Sequence, residues 1–244
     1  MKGSFLAAAF LKPFMSQQNR FFWKRMVRLA EGAKSVGIRR QVTSSDVTSL
    51  VEANNLENCA LKVTLTQDNV VFTARPVPYG KSHRTDGIRV AMGAGCRNER
   101  SLLAGCKSSS YAENLLERER AGRWGCSDAI LLDTQGRLSE GSATNLFFVK
   151  DGEIFTPSLS CGPLPGIVRK FLMDHVPVRE GAFNLEDLLN ATEWCLTNSL
   201  MGIHGVRELI ACDPRGGDSP NTLGTWEIGP VTRRMQAFYL KETS

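Results

Sequence analysis

The spacing of apolar residues predicts both kinds of secondary structure in the first third of the chain. Residues 61–66, LKVTLT, alternate between apolar and polar, which predicts a half-buried strand, and residues 70–75 predict its partner. A short apolar stretch over Ser4–Leu11 predicts another strand. A helix is predicted over Arg20–Val36, because apolar residues recur there at helical spacing, at Phe22, Met26, Leu29 and Ala33.

Later in the chain, capping and turn residues delimit the predicted elements. Ser110–Glu113 has the pattern of a capping box, so a helix is predicted from there to Arg123, with Gly125 ending it. A buried strand, a hairpin, an amphipathic helix and a second helix start are predicted at 128–133, 145–155, 166–176 and 184, in that order. CLTNSLMGI at 195–203 predicts another buried strand that runs into a helix or turn. Strands mixed with helices and hairpins predict an α+β fold rather than a regular βαβ series.

One polar stretch divides this pattern. PVPYGKSHRTDG at residues 76–87 is rich in Pro, Gly and polar residues, which is typical of a connection between domains. We therefore predict a small N-terminal α+β domain over residues 1–80, a linker over 81–87 and a larger C-terminal domain over 88–244.

Composition narrows the possible functions. The chain has 244 residues, 42% of them hydrophobic and 23% charged, which is typical of a folded protein and excludes disorder. Its net charge of +5 is scattered rather than clustered, so small anionic ligands are expected and nucleic acid is not. No apolar run reaches the length of about 18 residues that a membrane span requires.

Cysteine usage suggests a location. The chain has three histidines and seven cysteines, none of them in a CxxC pair, so we expect reduced thiols, a cytoplasmic location and no metal site. Residues 1–30 contain basic but no acidic residues, which also imitates a secretory or organellar targeting segment. The strand and helix predicted there are the preferred interpretation, because Lys12-Pro13 interrupts the apolar stretch.

Four features suggest chemistry only when taken together. They are Lys107, Glu140, the loop LPGIV at 164–168 and TNS at 197–199. Singly, each is an ordinary surface residue, turn or cap. A cofactor aldehyde with a pyridine ring and a phosphate needs an amine, an acid beside the ring nitrogen and an anion site. Lysine, glutamate and a helix N-terminus supply these three, and Arg28 could add a charge-assisted contact to the phosphate.

The same segments resemble a known family, the class IV (fold type IV) pyridoxal-phosphate enzymes. The resemblance covers residues 61–206 and rests on KSSSY at 107–111, EGSATNLFFV at 140–149 and LPGIVRKF at 164–171. RMVRL at 25–29 resembles the family's N-terminal basic element, with Arg25 where a histidine is usual. The family implies an α+β fold of two domains, similar to D-amino-acid aminotransferase, with pyridoxal 5'-phosphate between the domains and usually a homodimer.

The resemblance also implies roles for individual residues. Lys107 would form the Schiff base and act as the catalytic residue, and Glu140 would pair with the pyridine nitrogen. The remaining cofactor contacts would come from Arg28, the amides of Ile167 and Val168, and Ser199 at the phosphate, from Leu164 against the ring, and from Tyr111 toward the phenolic oxygen. Asn145 would support the hairpin.

Three departures from the family pattern accompany the resemblance. Val168 stands where many members have threonine, which deletes a hydroxyl but keeps the backbone donor. His204-Gly205-Val206 replaces the more usual x-Pro-Val. Relative to the family pattern, the small domain lacks some early strands at its start.

Two details favour one reaction of the family. The interval from Lys107 to Tyr111 is four residues, and NSL follows Thr197, both as in 4-amino-4-deoxychorismate lyases. Such a lyase gives pyruvate and 4-aminobenzoate, a precursor in folate biosynthesis. A branched-chain or D-amino-acid aminotransferase is the alternative, and a truncated, non-catalytic relative is a third possibility.

Overall fold

The computed structural model describes residues 5–11, 20–57, 59–77, 85–211 and 220–243. The chain divides into two compact units. The smaller unit comprises Met1–Tyr79, Cys106–Tyr111 and Thr243, and the larger unit comprises Gly80–Gly105, Ala112–Glu242 and Ser244. The predicted linker lies partly outside the described residues, at 81–84, and the predicted domain limits stay a prediction.

A three-stranded antiparallel sheet and two helices form the smaller unit. The strands are β1 (Phe5–Leu11), β2 (Cys59–Leu65) and β3 (Val70–Pro76), in the order β1-β2-β3. The helices are α1 (Arg20–Ser35) and α2 (Ser44–Ala53). The strands and the helix predicted in this part of the chain are confirmed, although Ser4, at the start of the first, lies outside the described residues.

The core of this unit follows the sequence pattern. The apolar residues at helical spacing on α1 are buried together with alternate residues of β2, namely Leu61, Val63 and Leu65. Cys106 packs against the same cluster, and its Sγ lies 3.6 Å from Ser35 Oγ. Residues 106–111 therefore belong to the smaller unit although the chain on either side of them belongs to the larger one.

The larger unit contains the remaining strands and helices. Its strands are β4 (Ile88–Arg97), β5 (Asp128–Asp133), β6 (Leu138–Gly141), β7 (Asn145–Lys150), β8 (Glu153–Pro157), β9 (Val178–Gly181), β10 (Glu193–Asn198), β11 (Gly202–Ala211) and β12 (Asn221–Thr225). Its α-helices are α3 (Ala112–Arg123), α4 (Ile167–His175), α5 (Leu185–Leu189) and α6 (Pro230–Thr243), and Leu159–Cys161 form a 3-10 turn.

These strands form one mixed sheet. Its described strands follow the order β6-β5-β4-β11-β10-β7-β8-β9, with β12 beside β11. The pairs β4–β5, β4–β11 and β8–β9 are parallel and the others are antiparallel. Across the described ranges of both units, no helix has the length and apolar character needed to cross a membrane.

The predicted elements of this unit are confirmed with shifts of one or two residues. The hairpin β7–β8 turns at Asp151 and Gly152, which both have positive φ, as a tight two-residue hairpin turn requires. Gly125 has a φ of +72° just beyond α3, as expected for a residue that ends a helix. Trp194, Phe147 and Phe148 are among the largest fully buried side chains, and each contributes about 1.5–3 kcal/mol by leaving water.

Candidate active site

The larger unit brings five of the eight predicted site residues to one end of its sheet. These five are Glu140, Leu164, Ile167, Val168 and Ser199. Glu140 lies near the end of β6, and Asn145 at the start of β7 pairs with Thr197 near the end of β10. The Asn145 side chain then reaches the loop before α4, where its Nδ2 donates to Leu164 O over 2.8 Å.

The carboxylate of Glu140 is held at both oxygens. The residue is 5% exposed. Its Oε1 lies 3.1 Å from Arg97 Nε in an ion pair, and its Oε2 accepts a hydrogen bond of 2.8 Å from the Leu164 amide. A buried carboxylate needs such partners, because an uncompensated charge is costly away from water. The side chain is thus fixed in one orientation by elements on both sides.

Arg97 is itself fixed by three oxygen atoms in addition to Glu140. Its guanidinium donates to Asn114 Oδ1, Ala104 O and Gly162 O over 3.3–3.4 Å. Arginine suits this place because its planar group presents five donors in a rigid arrangement. The guanidinium therefore ties the end of β4 to α3 and to the loop before α4.

The loop that follows Glu140 is held by a second buried carboxylate. Asp128 accepts hydrogen bonds from the hydroxyls of Ser142 and Thr144 and from the Ala129 amide. Asn198 Nδ2 donates to the carbonyl of the residue between those two hydroxyls, Ala143, over 3.1 Å. Residues 141–144 are consequently braced from β5 and from the end of β10.

The N-terminus of α4 has the character of an anion site. Its N-cap is Gly166, which has no side chain to accept from the first amides of the helix, so the amides of Ile167 and Val168 are suited to an external anion. A Cβ at the N-cap would meet Asn145 Oδ1, so a larger residue there would displace the Asn145 side chain. Asn145, which the sequence predicts to support the hairpin and which begins β7, thus also contacts this loop.

The TNS segment ends β10 in a tight turn. Asn198 Oδ1 accepts from the amides of Leu200 and Met201, each over 2.8 Å, and Gly202 begins β11 with a φ of +76°. Ser199 lies inside this turn, half-buried, directly after the asparagine that braces the loop beyond Glu140. A hydroxyl in this position can donate to an anion.

The other three predicted residues belong to the smaller unit. Arg28 is half-buried on α1, and Arg25, one helical turn earlier, is 4% exposed. Burial, together with the like charge of Arg25, lowers the pKa of the Arg28 guanidinium to about 10. A cation that burial and a like charge both disfavour is stabilised by an anion, as the predicted phosphate contact requires.

Lys107 and Tyr111 lie in the second segment of the smaller unit, Cys106–Tyr111. Both are half-buried, and Tyr111 directly precedes α3. Cys106, beside Lys107, is anchored in the core of the smaller unit, so the lysine follows a fixed point. The roles of all eight residues remain predictions at this stage.

The comparison with family models decides the family. The model of amino-transferase class IV matches residues 14–209 of this chain. The chain belongs to this family. The predicted resemblance is confirmed, and class IV enzymes depend on pyridoxal phosphate, so the predicted cofactor is confirmed at the level of the family.

Two curated class IV relatives differ in their reactions. The aminodeoxychorismate lyase of Vibrio harveyi is 32% identical over 140 residues, which is 55% of this chain and 49% of the lyase. The branched-chain-amino-acid aminotransferase of Salmonella typhimurium is 28% identical over 247 residues, which is 88% of this chain and 76% of that enzyme. The match thus spans about half of the lyase and most of the aminotransferase.

A solved structure confirms the fold class. The branched-chain aminotransferase of Escherichia coli has a TM-score of 0.78 and 23% identity, with 100% of this chain and 88% of that chain covered. The predicted α+β fold of the class IV enzymes is therefore confirmed. At this identity the likeness shows the fold and nothing finer.

The residues present fit the family's cofactor. Glu140 offers a buried, oriented carboxylate, which can accept from a protonated ring nitrogen, because a carboxylate has about four acceptor positions. The uncapped amides of Ile167 and Val168 suit a phosphate. Val168 supplies its amide whether or not its side chain has a hydroxyl.

Sequence reasoning missed the residues that hold Glu140 in place. There are four of these. Arg97 pairs with Glu140 itself, Asn114 and Asp128 contact Ser142 in the loop after it, and Glu117 accepts from the Ala94 amide of β4. The sequence contains no local signal for Glu117, because it shares a side of α3 with Asn114 and Ala121 while the leucines of that helix are exposed.

Proposed function

We propose that this chain is a pyridoxal-phosphate-dependent 4-amino-4-deoxychorismate lyase. The observation that carries the cofactor part is the fixed Glu140 carboxylate at the same end of the sheet as the uncapped N-terminus of α4. One buried acid and one anion site, tied together through Leu164, match the two ends of a pyridine phosphate.

Each cofactor contact is assigned to the group that suits it chemically. The Glu140 carboxylate accepts from the protonated ring nitrogen. The amides of Ile167 and Val168 and the Ser199 hydroxyl bind phosphate oxygens, and Arg28 contributes charge. Leu164 packs on a ring face, and the Tyr111 hydroxyl donates to the phenolic oxygen.

Lys107 performs the proton transfer. Bound pyridoxal phosphate supplies a carbonyl for the substrate amine and a ring that accepts electrons. The Nζ of Lys107 would remove the proton from the substrate carbon that bears nitrogen, as a positioned general base. Glu140 would accept a hydrogen bond from the protonated ring nitrogen and so favour the negative charge that develops.

Two observations favour the lyase reaction. They are the interval of four residues from Lys107 to Tyr111 and the NSL segment, both of which are lyase-like. A branched-chain aminotransferase is the second candidate, because the similarity to the Salmonella typhimurium enzyme extends over 88% of this chain. The two reactions share the proton removal and differ afterwards.

Pyruvate release separates the candidates. The protein is loaded with pyridoxal phosphate and given aminodeoxychorismate without any 2-oxo acid, with the Lys107→Ala protein as control. A lyase releases many equivalents of pyruvate, whereas a transaminase stops after one half-reaction. Absence of release from protein that binds the cofactor would favour the aminotransferase, and a screen of L- and D-amino donors would follow.

Borohydride reduction tests the enzyme proposal itself. Reduction in the presence of cofactor should fix one pyridoxyl group on Lys107, which peptide mass spectrometry locates. Absence of any fixed label, together with no change in the cofactor's absorption spectrum on mixing, would favour the third possibility, a non-catalytic relative.

A homodimer and a cytoplasmic location complete the proposal. Four exposed leucines lie on or near α3, Leu102 (96% exposed), Leu103, Leu115 and Leu116, and apolar surface of this kind suits a second copy of the chain. Cys59, Cys96, Cys106, Cys161 and Cys195 are free thiols, which suits a reducing compartment. Light scattering of the purified protein measures the assembly state.

A further inference from the structure

Strand β4 contains two extra residues relative to its neighbour. Met92 pairs with Ile130 and Cys96 pairs with Leu132, so four residue steps on β4 oppose two on β5. The segment between the paired residues is Gly93-Ala94-Gly95. Such a bulge removes backbone amides from the ladder and redirects the strand.

The carboxylate of Glu117 satisfies the displaced amides. Its Oε2 accepts from the Ala94 amide and its Oε1 from the Gly95 amide, each over 3.0 Å. Glu117 is only 6% exposed although it carries a charge. A carboxylate that receives two amide hydrogens forms strong, charge-assisted hydrogen bonds and holds the bulge in one shape.

One glycine of the bulge leaves room for this carboxylate and the other leaves room for β5. A Cβ at Gly95 would lie 3.2 Å from Glu117 Oε1, whereas a Cβ at Gly93 would lie 2.5 Å from Leu131 Cδ2 and 3.1 Å from Ile130 O. A side chain at Gly95 would press on the carboxylate, and one at Gly93 would press on β5. The local sequence and the acid on α3 are therefore fitted to each other.

The bulge determines where Arg97 lies. Arg97 is two residues beyond Gly95 and pairs with Asp133 after the register shift. A strand rises by about 3.3 Å per residue, so a β4 without the two extra residues would place a different residue there, with Arg97 about 7 Å further along. Arg97 is the group that forms the 3.1 Å ion pair with Glu140.

A second residue of α3 acts on the same site. Asn114, one helical turn before Glu117, accepts from Arg97 Nη1 over 3.4 Å, and its Nδ2 donates to Ser142 O over 3.0 Å. The buried polar side of α3 thus contacts three places: Glu117 binds the β4 bulge, and Asn114 binds both Arg97 and the loop after Glu140.

We infer that Glu117 is a positioning residue for the cofactor-binding carboxylate: it fixes the β4 bulge, which places Arg97, which orients Glu140. The inference rests on the proposed function, because it assigns Glu117 to the geometry of the ring-nitrogen contact. Glu117 touches neither cofactor nor substrate in this scheme. It acts through backbone and through Arg97.

The test compares two identical substitutions on one helix. Glu117→Gln puts an amide NH2 group against a backbone N–H, which breaks one of the two amide contacts, and it also removes the charge that pairs with Arg120. Glu119→Gln is the matched control, since Glu119 lies on the exposed side of α3 and likewise pairs with an arginine of the same helix, Arg123. For each folded variant, the dissociation constant of pyridoxal phosphate and the absorption maximum of the bound cofactor between pH 6 and 9 are measured.

Glu117→Gln should raise the dissociation constant about tenfold and alter the absorption maximum or its pH dependence, because the ring nitrogen meets a displaced carboxylate. Glu119→Gln should match the wild type in both. Wild-type binding and spectra in Glu117→Gln would overturn the inference, and so would a lower melting temperature with unchanged binding and spectra.

Glu117→Asp keeps the test decisive if the glutamine variant does not fold. The shorter acid retains the charge but reaches the bulge less well, so a smaller change in the same two quantities supports the inference and wild-type values overturn it. Failure of the cofactor part of the proposed function is a separate result, because wild-type protein would then bind no pyridoxal phosphate. An aminotransferase in place of a lyase would leave this inference unchanged, since it concerns the ring-nitrogen contact that both reactions share.

Discussion

Glu140 and Arg28 are both proposed to bind the cofactor, but the electrostatic surroundings of the two charges differ. Glu140 in the larger unit has an opposite charge, Arg97, at 3.1 Å and a backbone amide at 2.8 Å. Burial first, and then the like charge of Arg25, lower the pKa of Arg28 in the smaller unit to about 10. Glu140 thus has an opposite charge beside it, whereas burial and a like charge act against the charged form of Arg28.

The difference teaches how binding energy and folding energy are divided. We call the surroundings of Glu140 the first region and those of Arg28 the second region. In the first region the carboxylate is oriented before the cofactor binds. In the second region a bound anion stabilises the charged form of the arginine, so its contribution appears on binding. Substitutions in the first region should therefore mainly lower the free energy of unfolding, and those in the second should mainly lower the affinity for the cofactor.

The largest expected effect is on the first region. Arg97→Met leaves the buried Glu140 carboxylate without its opposite charge, and we expect the free energy of unfolding to fall by about 3–5 kcal/mol. Urea denaturation of the cofactor-free protein measures it. The double variant Arg97→Met with Glu140→Gln should regain part of the loss. Arg123→Met, which breaks a surface pair, should change stability by less than about 1 kcal/mol.

The second prediction concerns affinity. Arg28→Met should weaken the binding of pyridoxal phosphate by about 10- to 100-fold, since a hydrogen bond to a charged group contributes about 1.5–3 kcal/mol. Binding of pyridoxal, which has no phosphate, should not change. Lys34→Met, at the exposed end of α1, is the control for loss of charge alone. Equal weakening for both ligands would contradict the phosphate assignment.

The third prediction tests the like charge directly. In Arg25→His the new side chain is neutral at pH 8 and tends to gain a proton near pH 6.5. Burial and Arg28 disfavour that proton, so the folded protein binds it less tightly than the unfolded chain does. Stability gained from this histidine is therefore present above pH 6.5 and lost as the pH falls. Relative to wild type, the free energy of unfolding should decrease by about 1 kcal/mol between pH 8 and pH 5.

The smallest effect is expected beside the first region. Bonds from its own backbone amide and from the Thr134 hydroxyl lower the pKa of Glu99 to about 2. A lowered carboxyl pKa contributes stability that is present above about pH 4.5 and is lost as the pH falls toward 2. Across this pH range, the melting temperature of Glu99→Gln should depend less steeply on pH than that of the wild type. An identical pH dependence would exclude this contribution.

The sequence alone predicts most of the secondary-structure elements and part of the candidate site. The strand pair at 61–75, the hairpin at Asp151-Gly152 and the helix after Gly166 are set by local pattern and turn chemistry, which sequence displays. The contact between Arg97 and Glu140 is different, because it joins residues 43 positions apart, with α3 and β5 between them in the chain.

The bulge explains why the remainder was not predictable. Gly93-Ala94-Gly95 reads as an ordinary weak point in a strand, and Glu117 reads as a solvated helix residue. Their fit depends on how α3 packs on β4, which is a tertiary property. The contact of Asn145 was not predictable for the same reason, because its partner, Leu164 O, lies on a loop 19 residues later.

The chain passes into the smaller unit twice, at Met1–Tyr79 and again at Cys106–Tyr111. The second passage carries Lys107 and is anchored by Cys106 in that unit's core. A chimera made by exchanging only the leading 79 residues with those of a relative would therefore pair a foreign core with the native hexapeptide. We expect a chimera to fold more readily when both segments come from one parent, so that the lysine moves with the small unit rather than with the sheet that holds Glu140.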